Sequence, residues 1–267
     1  MTHAWPWTRR VTAMTLTAAT FTAVMACNVP AAADDDKPAP PPAEQPDKPD
    51  QPRQPFPHIQ VDLKNRVVDL DAKVILRQGD WIELLGCSPN TREHESIVTV
   101  AAKPSHVHGA LLVIGLKPGA PISWKWVGKE AHMIPPTGAR VAVSFVYEKD
   151  GKTVEVPAHQ WVLNKEKKQT LPDNVWLFTG SKVVESEGQR YYKADVEGNI
   201  ISVVNFGDEV LGLPTNVTSE DDHGNLGINT NLIPPIGTQV KMRLKPAKPV
   251  EKKDGDAKGK DDSKAGE

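Results

Sequence analysis

From position 58 to position 246 the apolar residues of this 267-residue chain fall in short runs, and Gly, Pro, Asn or Asp closes almost every one. Runs of that length favour strands joined by turns over long helices, because glycine and proline punctuate the chain and β-branched residues suit a pleated surface. Strands are expected at 59–63, 67–76, 81–85, 95–101, 141–147, 153–156, 161–163, 175–178, 182–185, 200–206 and 240–244. The run Val141-Ala142-Val143-Ser144-Phe145-Val146 is apolar on both faces and should lie centrally. Val240-Lys241-Met242-Arg243-Leu244 alternates, so one of its faces should be wet.

A helix is expected over 106–116, capped by Ser105 and stopped by Lys117-Pro118-Gly119. Its apolar residues lie nearly all round, which predicts burial against the sheets. Residues 58–246 therefore read as a single domain that is mainly β, a sandwich or partly open barrel with at least one packed α-helix. Ile134-Pro135-Pro136-Thr137-Gly138 and Ile233-Pro234-Pro235-Ile236-Gly237 each lead into a strand. They read as shared turn chemistry, with a duplicated half as the alternative.

The flanks differ in composition. Residues 1–33 read as an export signal, with Arg9 and Arg10 ahead of an apolar stretch too short and too threonine-rich to span a bilayer. Two processing sites compete. Ala31 and Ala33 suit ordinary cleavage before Asp34, while Val24-Met25-Ala26-Cys27 resembles a lipobox that would make Cys27 an acylated first residue. Either reading sends the protein out of the cytoplasm, as a periplasmic, membrane-anchored or secreted form. Residues 34–57 hold nine of the 24 prolines and no aliphatic residue larger than alanine, so they cannot bury enough surface to pack and form an extended linker. Residues 247–267 mix lysine with acidic residues as a solvated tail.

Three stretches resemble the YdjY-domain family of bacterial proteins, largely exported and functionally uncharacterised. They are Thr91-Arg92-Glu93-His94-Glu95-Ser96, then Lys103-Pro104-Ser105-His106-Val107-His108-Gly109-Ala110-Leu111-Leu112 with Gly115 and Lys117-Pro118-Gly119, and finally Gly198-Asn199-Ile200-Ile201-Ser202-Val203-Val204-Asn205-Phe206 with Ile233-Pro234-Pro235. The resemblance brings no established catalytic residues with it.

A net charge of −2 supplies no excess of cations for phosphates, which argues against nucleic acid as a partner. Two cysteines, one of them in the export signal, cannot ligate an iron–sulfur cluster. The strongest chemical candidate is Cys87 beside His94, brought together if Ser88-Pro89-Asn90-Thr91 turns a hairpin. An imidazole there would favour the thiolate; the competing reading is a buried, inert thiol. Arg92, Glu93 and Glu95 around His94 form an ion-pair patch or, alternatively, a recognition surface for a polar ligand.

His106 and His108 should lie a strand length from Cys87, about 20 Å, and point to different sides of their helix. His108 is expected to be buried and bonded to a backbone carbonyl, and no metal or cofactor is expected. Trp124 and Trp126 share a face and are expected to pack in the core, a stacking platform being the alternative. The loop 219–225 lacks the ligand spacing of a calcium site. No nucleophile elbow, phosphate loop or dinucleotide fingerprint occurs.

The expectation is an exported, non-enzymatic β-rich module that binds an envelope or extracellular protein or ligand. Its membrane contact would come only through a lipid at Cys27. The rival is an envelope protein with thiol or metal chemistry centred on Cys87 and His94.

Overall fold

Alternation of apolar and charged residues builds the longest strands. Val67–Val74 buries Val68, Leu70, Ala72 and Val74 and turns Asp69, Asp71 and Lys73 outward. Gln239–Pro246 buries Val240, Met242 and Leu244 and turns out Lys241, Arg243 and Lys245. The structure, a computed structural model, describes residues 52–79, 81–218 and 226–247. The segment expected to be an export signal, with Cys27, nearly all of the expected proline-rich linker, the 219–225 loop and the C-terminal residues expected to form a tail lie outside the described residues.

In chain order the first strands are β1 (Arg53–Phe56), β2 (Ile59–Asp62), β3 (Val67–Val74), β4 (Leu84–Cys87) and β5 (Ser96–Val100), followed by helix α1 (Pro104–Val113). Then come β6 (Ser123–Val127), β7 (Glu130–Ile134), β8 (Ala139–Lys149), β9 (Lys152–Pro157), β10 (Val162–Asn164), β11 (Gln169–Thr170) and β12 (Trp176–Phe178). The last are β13 (Val183–Ser186), β14 (Gln189–Tyr192), the short helix α2 (Lys193–Glu197), β15 (Asn199–Ser202), β16 (Leu211–Gly212), β17 (Leu226–Ile228) and β18 (Gln239–Pro246).

Strands β3, β18, β8, β12, β16, β15, β4 and β5 lie side by side, and β5 pairs back onto β3. The eight close into a barrel-like sheet, so the chain takes the barrel form of the two expected. β1, β2 and β9 extend it, and β11–β10–β17, β13–β14 and β6–β7 form small separate sheets. Inside, Trp161 stacks on Phe145 at 3.9 Å between ring centroids. The buried Trp176 indole donates to the Ser202 carbonyl at 2.8 Å.

Two neighbouring pairs, β4–β5 and β15–β16, are parallel. Parallel neighbours ordinarily need a crossover of about a dozen residues or more. Here the connecting segments 88–95 and 203–210 are shorter, and side-chain bonds hold them in shape.

Three expectations are corrected. Segment 88–95 is not a hairpin turn, because β5 runs parallel to β4. Strand β8 has Ala142, Ser144 and Val146 half-exposed, so only its inner face is dry. Helix α1 begins at Pro104 with Lys103 as its cap residue, so Ser105 lies inside it, and the Ser105 amide donates to the Asp195 carboxylate of α2 at 2.8 Å. That helix buries Val107, Ala110 and Leu111 but leaves Leu112 and Val113 exposed, so it packs on one side only.

The two Ile-Pro-Pro segments lead into β8 and β18, which are paired strands, and end at glycines of positive φ, Gly138 and Gly237. Among the described residues no helix is long and apolar enough to cross a membrane.

Candidate functional site

The sequence-flagged cluster occupies the first parallel crossover. Cys87 ends β4 and is fully buried. Its burial pushes the thiol pKa up, against the Ser96 and Thr91 hydroxyls and the Arg92 amide, which favour the thiolate. His94 does not meet it. The crossover carries the chain back beside the start of β4, where the Glu83 amide donates to the Glu95 carbonyl at 3.1 Å. The His94 ring there is 80% exposed and 3.6 Å from the Glu95 carboxylate.

The polar side chains of 88–95 bond to one another. Thr91 donates to the Ser88 carbonyl at 2.6 Å, the Asn90 amide donates to Glu93 at 2.9 Å, and Arg92 donates to Glu95 at 2.9 Å. These bonds replace the backbone ladder that a tight crossover gives up. Beside the loop, an open hollow is lined by residues that include Asp71, Lys73, Asn90 and Glu93, of mixed charge.

The second crossover carries a feature that reading the sequence missed. Glu209 is fully buried, and its Oε2 accepts three successive backbone N–H groups, from Phe206 at 3.0 Å, Gly207 at 2.8 Å and Asp208 at 3.1 Å. Oε1 has no partner. Burial raises the Glu209 carboxyl pKa, although the three donors pull it down. Asn199 donates to Asp208 at 2.7 Å, and Asn205 donates to the carbonyls of Leu213 and Thr215. In sequence, Gly207-Asp208-Glu209 simply follows the strand expected at 200–206, and nothing local marks the glutamate as interior. The two crossovers meet where the Arg92 guanidinium lies 4.6 Å over the Phe206 ring.

The helix histidines serve packing. His106 stacks on Phe56 at 4.8 Å, whereas His108 packs edge-on against Phe178 and Tyr192. His108 Nδ1 is 2.9 Å from the Tyr192 hydroxyl, which donates to the Gly180 carbonyl at 2.9 Å. Burial lowers the His108 pKa and raises that of Tyr192. The His108 side chain is half-buried and reaches the Gly180 carbonyl region through the tyrosine. Among the described residues, no three or more His, Cys, Asp or Glu side chains gather where they could hold a metal.

The remaining candidate is an arm. Among the described residues β6 and β7 pair only with each other, through the two-residue turn Gly128-Lys129, with Gly128 at φ 64°. At its foot Pro118 bridges Gly138, and the Gly119 amide donates to the Phe178 carbonyl at 2.9 Å. Two glycines make this approach fit. A β-carbon on Gly138 would stand 2.1 Å from the Phe178 carbonyl oxygen, and one on Gly119 would stand 2.2 Å from the Thr137 oxygen.

Cross-strand partners share a face, so Trp124 with Met133 and Trp126 with Ala131 form an apolar one. Ser123, Lys125, Val127, Glu130, His132 and Ile134 take the other. The core expectation for this pair fails, since Trp124 is 46% and Trp126 70% exposed. The available signal was Gly128-Lys129 between two apolar-alternating segments, which marks a two-residue hairpin.

The geometry sets the sequence comparisons in context. The family model of the YdjY domain matches residues 59–245, most of the chain. The chain belongs to the YdjY-domain family. In this YdjY domain, of the stretches that carry the likeness in sequence, 91–96 supplies much of the first parallel crossover, 103–112 lies largely in α1, and 198–206 builds β15 and opens the second crossover. Comparison with curated proteins and with solved structures found no match.

Proposed function

We propose that this YdjY domain is an exported, non-enzymatic module of the cell envelope that docks through its β6–β7 arm. The observation that carries the reading is the solvent-exposed face of Trp124, Trp126 and Met133 on a hairpin that pairs with no other element. Exposed indoles on one face of a projecting element are costly to leave in water and useful for binding. Export rests on the basic and apolar leader, with Cys27 acylation and cleavage after Ala33 as the two routes. The rival thiol or metal chemistry has less support, because Cys87 is buried and its strand ends away from His94.

The test is photo-crosslinking in intact exporting cells, with a photoreactive residue at position 126 and a control at the exposed Ile236. A specific adduct at 126 that is missing at 236 is the expected result. Equal labelling, or none, refutes docking through the arm. Intact mass of the mature chain decides between the two N-termini.

A further inference from the structure

We infer that the indole face of the arm seats in the interfacial layer of a phospholipid bilayer that contains anionic lipid, an assignment that rests on the docking role proposed above. Three observations select this occupant.

The first is area. With Trp124 46%, Trp126 70% and Met133 37% exposed, and roughly 150–250 Å² per aromatic side chain, the face offers on the order of 300 Å². Two copies meeting through it would bury about 600 Å² in total, well below the roughly 1,200 Å² at which specific protein interfaces begin. A bilayer imposes no minimum footprint.

The second is the composition of the face. A sugar-binding platform sets hydrogen-bonding side chains beside its aromatic rings, because the sugar hydroxyls need partners. The residues directly opposite the indoles are Met133 and Ala131, whereas the charged Lys125, Glu130 and His132 are on the reverse side, which they share with Ser123, Val127 and Ile134. Indoles on one face with the charged side chains on the other is the arrangement of an element lying flat in a membrane interface.

The third is charge. Lys125 and Lys129 have no carboxylate partner among the described residues, whereas Glu130 has His132 at 3.7 Å. Two unpaired ammonium groups on flexible stems can reach headgroup phosphates while the indoles sit below them.

The experiment uses the mature chain recovered from an exporting host, mixed with vesicles of phosphatidylglycerol and phosphatidylcholine whose acyl chains are brominated. Tryptophan emission is the readout. Trp161 and Trp176 are buried and cannot reach the quencher, and the exposed Trp81 remains as an internal control. Wild type should be quenched, and Trp124→Ser with Trp126→Ser should lose the quenching by on the order of tenfold. Lys125→Glu with Lys129→Glu keeps the indoles and should remove the preference for phosphatidylglycerol over phosphatidylcholine alone. Both pairs are at exposed positions outside the barrel, and circular dichroism checks that the fold is retained.

Equal quenching in wild type and the tryptophan variant overturns the assignment, as does no quenching in either. A protein or glycan adduct at position 126 without bromolipid quenching leaves docking standing and removes the bilayer. Absence of both removes docking as well.

Discussion

Gly212 and Glu209 stand so close that a β-carbon on the glycine would lie 2.7 Å from Glu209 Oε1, and 2.9 Å from Asn205 Oδ1. The glycine on β16 is what allows a carboxyl group to sit inside the second crossover and tie three amides of its own loop.

Gly212→Ala is expected to cost roughly 1–3 kcal/mol, as overpacking at a rigid site does. Glu209→Ala is expected to cost more, roughly 3–5 kcal/mol, because three amide donors lose their acceptor in a dry site. The double variant should lose less than the sum, since removing the carboxyl clears most of the space. Urea unfolding of the four proteins reads the cycle, and strict additivity would show that the contact is not the cause.

Burial raises the Glu209 carboxyl pKa above its ordinary 4.5. The folded state then holds that proton at pH values where the unfolded chain has released it. This contribution is fully present below about pH 4.5 and is lost as pH rises through the folded value. Glu209→Gln cannot titrate, so its stability relative to wild type should improve from pH 4 to pH 7. A constant difference across that range would contradict burial as the dominant influence.

Arg92 over Phe206 joins the two crossovers, and the same guanidinium reaches Glu95 at 2.9 Å and Glu83 at 3.6 Å. Arg92→Ala should destabilise by about 1–2 kcal/mol, with the ion pairs discounted for partial exposure. A double-mutant cycle with Phe206→Leu should show coupling of about 0.5–1 kcal/mol. No coupling would mean that the crossovers are held independently.

Cys87 should be silent to a thiol reagent in the folded protein and react at the rate of unfolding, because it is fully buried and its thiol is held protonated. Stopped-flow modification with and without denaturant distinguishes the outcomes. Fast labelling without denaturant would revive thiol chemistry. Cys87→Ser should cost roughly 1–3 kcal/mol through a buried hydroxyl.

His108 has a lowered pKa, so the unfolded chain takes up a proton before the folded one does. Its contribution is present above the ordinary 6.5 and is lost as pH falls through the folded value. His108→Gln should therefore flatten the stability profile between pH 7 and pH 5. An unchanged slope in thermal melts would mean the ring is not protected from protonation.

Much of the barrel could be read from the chain. The alternation in 240–244 told which face that strand buries, and the Pro-Pro-Thr-Gly and Pro-Pro-Ile-Gly entries told where β8 and β18 begin. Trp124-Lys125-Trp126 was misread and Glu209 was passed over. The apolar pair defaulted to the core, and nothing in the residues after the strand expected at 200–206 marked a carboxylate as interior, because neighbours distant in sequence decide both environments.

By itself the sequence determined a mainly β domain, the Pro-Pro-Gly entries to two of its strands and the wet and dry faces of 240–244, because side-chain period and turn chemistry act over a few residues. Only the tertiary structure decided that β5 returns to β3 and closes a barrel, that two neighbouring pairs run parallel, that Cys87 and Glu209 are interior and that two tryptophans are not. Those outcomes depend on which surfaces cover which, and period alone says that a face is apolar without saying what meets it.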